Sequence, residues 1–149
     1  MKEVFSGLDP DNFPSISLFK NNYKYNQMLL ERNITFYSYC EHHFVPIIGK
    51  AHVAYVPEKY VIGLSKLNRI VQYFSRRPQV QERLTEQIAE SLKKHLQTES
   101  VAVVIEADHL CVSSRGVEDV HSDTVTSHYS GKFRNENVRN ELLQMIKKC

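Results

Sequence analysis

An α+β fold on an antiparallel sheet is what this sequence predicts, on three observations. Residues 34–39 and 52–56 alternate in strand fashion, residues 101–112 do so again, and two stretches with helical spacing lie between them. Strands, then helices, then strands and a last helix are the order of an antiparallel sheet with helices packed on it, not of a wound parallel sheet.

Residues 1–20 hold Gly7, Pro10 and Pro14 and read as an irregular lead-in. Residues 34–39 and 52–56 read as two strands joined by a turn at 46–49, where Pro46 and Gly49 sit. Leu67, Ile70, Val71 and Phe74 follow the i, i+3, i+4, i+7 rule, so a helix is predicted from near Ser65, a suitable N-cap. Pro78 suits the first turn of a second helix. Val80, Leu84, Ile88, Leu92 and Leu96 give that helix one apolar stripe. In the strand at 101–112, Val101, Val103, Ile105, Ala107, His109 and Cys111 share a face because strand side chains alternate. Residues 124–129 are β-branched and read as another strand. Val138, Leu142, Met145 and Ile146 predict a final helix, with Lys147 and Lys148 at its negative end.

At 149 residues, one domain is expected over 1–149. A hydrophobic fraction of 42% with 24% charged residues fits a globular protein in water. No apolar run approaches the roughly 18 residues that span a bilayer. Met1-Lys2-Glu3-Val4-Phe5 lacks a signal-peptide pattern, so a cytoplasmic protein is expected. A formal charge of +2 is too small to argue for a nucleic-acid surface. Three cysteines, one of them the terminal Cys149, make no disulfide framework. In a reducing compartment a cysteine pair is more often metal-bound or catalytic than bridged.

The chemistry concentrates in Cys40-Glu41-His42-His43 and His109-Leu110-Cys111. Cys40, His43 and Cys111 offer two thiolates and one imidazole, donors that suit zinc. Three protein ligands leave a fourth position for water, which is the catalytic pattern. His42 and His109 flank these ligands and are candidates for proton transfer. The ordinary reading of a CxxH is a buried structural pair, and spacing alone leaves both readings open. Lys66 and Arg69 share a helix face, where a solvated surface is the ordinary reading. Against it, the Ile62-Gly63-Leu64-Ser65 turn leads into a helix N-terminus that suits an anion, and Arg115 follows Cys111 closely. Three cations near a helix start suggest phosphate groups. Gln81 and Glu82 fall in the first turn of the second helix. They serve there either as charge against the dipole or as acceptors for the N–H donors of a purine.

Several of these runs together resemble GTP cyclohydrolase I. They are Cys40-Glu41-His42-His43-Phe44, Gly63-Leu64-Ser65-Lys66-Leu67-Asn68-Arg69-Ile70-Val71, Arg77-Pro78-Gln79-Val80-Gln81-Glu82-Arg83-Leu84-Thr85, and His109-Leu110-Cys111 with Arg115-Gly116-Val117. The likeness runs from Phe5-Ser6-Gly7-Leu8-Asp9 to the final helix. It begins after the N-terminal helices that family members usually carry, and Ser127-His128-Tyr129-Ser130 departs from the small or apolar residues usual in that strand.

The resemblance implies a tunnelling fold: an antiparallel sheet with two helices on one face, whose strands assemble into an oligomeric barrel. It implies a homo-oligomer of pentameric rings paired into a decamer, with sites at subunit junctions, and no nucleic-acid or membrane partner. The implied reaction turns GTP and water into 7,8-dihydroneopterin 3'-triphosphate and formate, the first step of tetrahydrofolate or pterin biosynthesis. Carried over by position, Cys40, His43 and Cys111 would bind zinc, and His42 and His109 would be the acid–base pair. Glu82, helped by Gln81, would hold the guanine, Ser65 the ribose region, and Lys66, Arg69 and Arg115 the triphosphate. His128 is read as a strand-surface residue; His52, His95 and His121 receive ordinary structural readings. Two other readings remain: a sister enzyme of the same fold, such as a nitrile reductase with a nucleophilic cysteine and no zinc, and a non-catalytic purine-nucleotide module. Zinc content and formate release separate the three.

Overall fold

In the computed structural model, which describes residues 3–110 and 122–147, the long strands form a five-stranded sheet. Its strands are β2 (Leu29–Cys40), β3 (Pro46–Tyr55), β5 (Pro78–Gln79), β6 (Val101–His109) and β7 (Thr124–Tyr129), in the order β5-β2-β3-β6-β7. All pairs are antiparallel except the two-residue match of β5 with the end of β2. A small ribbon joins β1 (Leu18–Lys20) to β4 (Tyr60–Ile62). Three longer helices lie among the described residues: α1 (Leu64–Ser75), α2 (Gln81–Leu96) and α3 (Glu136–Lys147).

Period decides which face of the sheet is covered. Ile34, Phe36, Val53, Tyr55, Val103 and Ile105 point to one side and bury against Leu67, Ile70 and Val71 of α1 and Leu84, Ile88 and Leu92 of α2. Among the described residues the opposite face is covered only at one end. There α3 and the 3₁₀ turn Gly131–Arg134 pack Leu142 and Phe133 on Ala54 and Ala102. Tyr37, Ile48 and Val125 stay exposed on the remainder of that face.

Several expected boundaries move, each for a local reason. The turn predicted at 46–49 lies inside β3, and the chain reverses at Glu41–Phe44 instead. Phe44 adopts a left-handed φ of 53° there, and its N–H closes on the Cys40 carbonyl at 2.8 Å. Pro46 opens the strand, a position that needs no ladder N–H. Gly49 serves close packing, not a turn: a Cβ there would sit 2.7 Å from Ala107 Cβ and 2.9 Å from the Phe36 ring. Strand β2 starts before Ile34 because a bulge between Glu31 and Ile34 breaks the alternation that marks strands in sequence. Ser65 is not the N-cap of α1; Gly63 is, and no side chain caps it. Pro78 pairs with Tyr39 in β5 and does not start α2, which begins at Gln81 after Val80. The lead-in holds two 3₁₀ turns, Ser6–Leu8 and Pro10–Asn12, and strand β1.

The bulge explains His52, which is 1% exposed. Asn33 turns left-handed (φ 63°) in the bulge, and its N–H donates to His52 Nδ1 at 3.0 Å. Nδ1 must therefore be unprotonated, so Nε2–H donates to the Glu106 carboxylate at 2.8 Å. We expect His52→Leu to lower unfolding stability by about 1–3 kcal/mol, since it orphans a buried N–H. Urea denaturation with an unchanged midpoint would refute that account.

Candidate functional site

One end of the sheet gathers most of the chemistry-bearing residues. Cys40 ends β2, partly buried, and the reversal after it presents Glu41, His42 and His43 to solvent. The Cys40 N–H donates to the Val45 carbonyl, and the Glu41 N–H to the Gln79 carbonyl, each at 2.9 Å. The turn is thus tied both to β3 and to the segment entering α2. Arg83 clamps it from the helix with two guanidinium N–H groups on the Glu41 carboxylate, at 2.8 and 3.1 Å. His109 ends β6 opposite Ile47, at the same end of the sheet.

Cys40 Sγ lies 3.9 Å from His43 Nδ1. Two ligands of one tetrahedral zinc ion, at ordinary Zn–S and Zn–N lengths, stand about 3.6 Å apart. A thiol and an imidazole already at nearly that spacing fit such an ion. The third expected ligand, Cys111, and the expected phosphate contact Arg115 lie outside the described residues, as does His121. The rings of His42 and His43 are 6.3 Å apart and tilted by 60°.

Gln81 is buried, and its side chain turns inward. Its amide nitrogen donates to Ile105 O (3.1 Å), Thr124 O (3.0 Å) and Thr126 Oγ1 (3.0 Å). Its amide oxygen meets His109 Nε2 at 2.6 Å. The Gln81 amide, expected to help Glu82 hold a guanine, has every polar atom engaged within the chain. Glu82, one residue on, is exposed at the first turn of α2. Burial pushes the His109 imidazole below the ordinary histidine value, against the opposing pull of the Glu82 and Asp108 carboxylates. Burial therefore favours the neutral ring.

The basic residues lie elsewhere. Lys66 and Arg69 sit in the first turns of α1, whose C-terminal end is the one beside Cys40: Ser38 Oγ donates to Arg77 O at 3.3 Å, and Tyr39 pairs with Pro78. The N-terminal half of α1 lies instead beside Glu31, whose carboxylate is 3.0 Å from the end of the Asn68 amide, a contact that is a hydrogen bond when the amide nitrogen faces it. Glu31 and Cys40 are nine strand positions apart in β2, roughly 30 Å. Within one chain, Ser65, Lys66 and Arg69 are thus remote from Cys40, His43, Glu82 and His109.

A second donor group escaped the sequence reading. Glu86, Glu90 and His128 bring ligand atoms within 4.8 Å of one another. His128 is not on the strand's solvent face; its side chain is 12% exposed, and Nδ1 meets the Glu86 carboxylate of α2 at 3.0 Å. The i, i+4 spacing of the two glutamates was the available signal, but without the β7 register nothing linked it to His128.

Comparison with known proteins follows the same lines. The family model described as GTP cyclohydrolase I matches residues 1–147. A protein of Flavobacterium johnsoniae named GTP cyclohydrolase 1 is 59% identical over 99% of this chain and 66% of its own length. One of Salmonella gallinarum with the same name is 53% identical over 97% of this chain and 66% of its own. The chain thus spans about two thirds of the length of these curated relatives. Among solved structures, the archaeosine synthase QueF-Like in the apo form superposes with a TM-score of 0.55 at 18% identity, covering 79% of this chain and 97% of that one; the likeness is one of fold.

Proposed function

The chain belongs to the GTP cyclohydrolase I family and has its tunnelling fold, and from that premise we propose that it hydrolyses GTP at a zinc site, yielding formate and 7,8-dihydroneopterin 3'-triphosphate. The observation that carries the reading is the gathering of Cys40, His43, Glu82 and His109 at one end of the sheet, with the thiol and imidazole 3.9 Å apart. Cys40, His43 and Cys111 would hold the zinc. When bound there, zinc supplies a water acidified towards a pKa of about 7, hence a hydrolytic nucleophile at neutral pH.

The chain's own residues do the rest. The Glu82 carboxylate accepts from the N–H donors of the guanine, a pairing that a purine without them cannot satisfy. His42 and His109 carry protons to and from the purine ring nitrogens as its C–N bonds break. Ser65 lies against the ribose, and Lys66, Arg69 and Arg115 neutralise the triphosphate.

Lys66 and Arg69 are too far from Cys40 to serve the same bound nucleotide within one chain. We assign them to the site of a neighbouring copy. The sheet supports this assembly: the outer edge of β7 and most of the outer edge of β2 carry unpaired ladder groups among the described residues, and joining copies edge to edge removes them. Pentameric rings, paired into a decamer, are the assembly proposed. A cytoplasmic location is proposed with it; no helix among the described residues is long and apolar enough to cross a membrane.

The test is to incubate metal-loaded protein with GTP while following formate and, after oxidation, pterin fluorescence. Equal yields of both are expected; GTP left intact would overturn the assignment. Glu82→Ala should keep its zinc and lose turnover, because an unpaired donor on a buried guanine costs about 1–3 kcal/mol for each lost partner and misplaces the ring. Parent-level turnover by that variant would reduce Glu82 to a helix-start charge.

A further inference from the structure

Gln81 is committed inside the protein in a way that restricts His109. An amide nitrogen donates and has no lone pair to offer, and the Gln81 nitrogen faces three acceptors: two carbonyls and the Thr126 hydroxyl oxygen. That orientation leaves Gln81 Oε1, an acceptor only, against His109 Nε2 at 2.6 Å. The contact is a hydrogen bond only if Nε2 carries the proton. The anchor is itself held: Thr85 Oγ1 donates to the Gln81 carbonyl at 2.9 Å, so its 2.8 Å contact with Thr126 must run from the Thr126 hydroxyl. Thr126 Oγ1 therefore receives the Gln81 N–H and cannot compete as a donor. Reversing the amide would set oxygen against three acceptors and nitrogen against the imidazole N–H.

We infer that Gln81 is a positioning residue, fixing His109 as its Nε2–H tautomer so that Nδ1 is the ring atom offered for proton exchange with the nucleotide. The inference rests on the proposed reaction for its consequence but not for its geometry. The strand end alone would leave the ring free to turn and to take either tautomer. The amide, reaching up from α2 beneath β6 and β7, removes that freedom. It also separates the roles of two adjacent residues: Glu82 faces the ligand, and Gln81 faces the catalytic histidine.

Two measurements test this. In Gln81→Met, a side chain of similar length without hydrogen-bonding atoms, kcat for GTP should fall about 10–100-fold, the usual cost of losing the partner that orients a histidine, while KM stays near the parent value. An unchanged kcat, or a raised KM with kcat intact, would overturn the inference and return Gln81 to nucleotide binding. Three acceptors lose their donor in that variant, so it can fail to fold. The second measurement therefore uses the unsubstituted protein: solid-state 15N NMR of the histidine-labelled, metal-loaded assembly, with the His109 signals assigned by their loss in His109→Ala. A protonated Nε2 and an unprotonated Nδ1 on the neutral ring are expected; a protonated Nδ1 refutes the inference. That spectrum needs no turnover, so an inactive protein with the expected tautomer would count against the proposed reaction alone.

Discussion

Cys40→Ala is expected to empty the metal site and abolish GTP turnover in one step. Cys40 is the last residue of β2, and its backbone is fixed by the Val45 carbonyl and the pairing with Gln79. Its sulfur therefore cannot be replaced by a neighbour shifting into place. With His43 and Cys111 alone, two ligands remain of three, and zinc affinity falls with every lost donor. Without the ion, the bound water loses its acidification and keeps the far higher pKa of bulk water, so almost no hydroxide exists at neutral pH. Elemental analysis of protein purified without chelator should give one zinc per parent chain and next to none in the variant. Cys40 is only partly buried, so the fold should survive, and circular dichroism checks this. A variant that kept stoichiometric metal would move attention to Glu86, Glu90 and His128, the other donor group among the described residues.

Arg69→Ala and Glu82→Ala should each be inactive alone and active when assembled together. Arg69 belongs to the end of α1 beside Glu31, Glu82 to the end of the sheet beside Cys40. If one nucleotide bridges two copies, a site is intact when one copy supplies Glu82 and its neighbour supplies Arg69. Random mixing in a closed ring makes about one site in four fully native. Co-expression, or dissociation and joint refolding, should thus restore about a quarter of parent activity, while mixing the folded variants without exchange restores none. No recovery in mixed rings, or a stable and fully active monomer by light scattering, would sink the shared-site proposal.

Much of this was legible from the residues in order. The period of 101–112 gave strand β6, which ends at His109, the β-branched run 124–129 gave β7, and the stripe through Leu84, Ile88, Leu92 and Leu96 gave α2 and its buried face. Both signals are strong because many side chains must reach one side together. The strands of two or three residues, β1, β4 and β5, carry no period and were invisible. Glu31-Arg32-Asn33 hid the first third of β2, since a bulge cancels alternation where it occurs. Pro46 and Gly49 read as a turn because their special backbone uses are shared by turns, strand starts and close packing alike.

The sequence by itself determined the residue types and their chemistry: a thiol and an imidazole three apart, a carboxylate at a helix start, cations at another, and motifs enough to name the family. Tertiary structure alone decided what each type is used for. Gln81 and Glu82 are neighbours with similar side chains, yet one is sealed beneath β6 and β7 and the other is exposed, because successive helix residues lie about 100° apart. Lys66 follows Cys40 by only one strand and a short ribbon, yet antiparallel β3 carries the chain back to the Glu31 end of β2 before α1 begins there, which puts them at opposite ends. Composition fixes what a group can do; distance, burial and hydrogen-bond partners fix whether it faces a ligand, another subunit or the core.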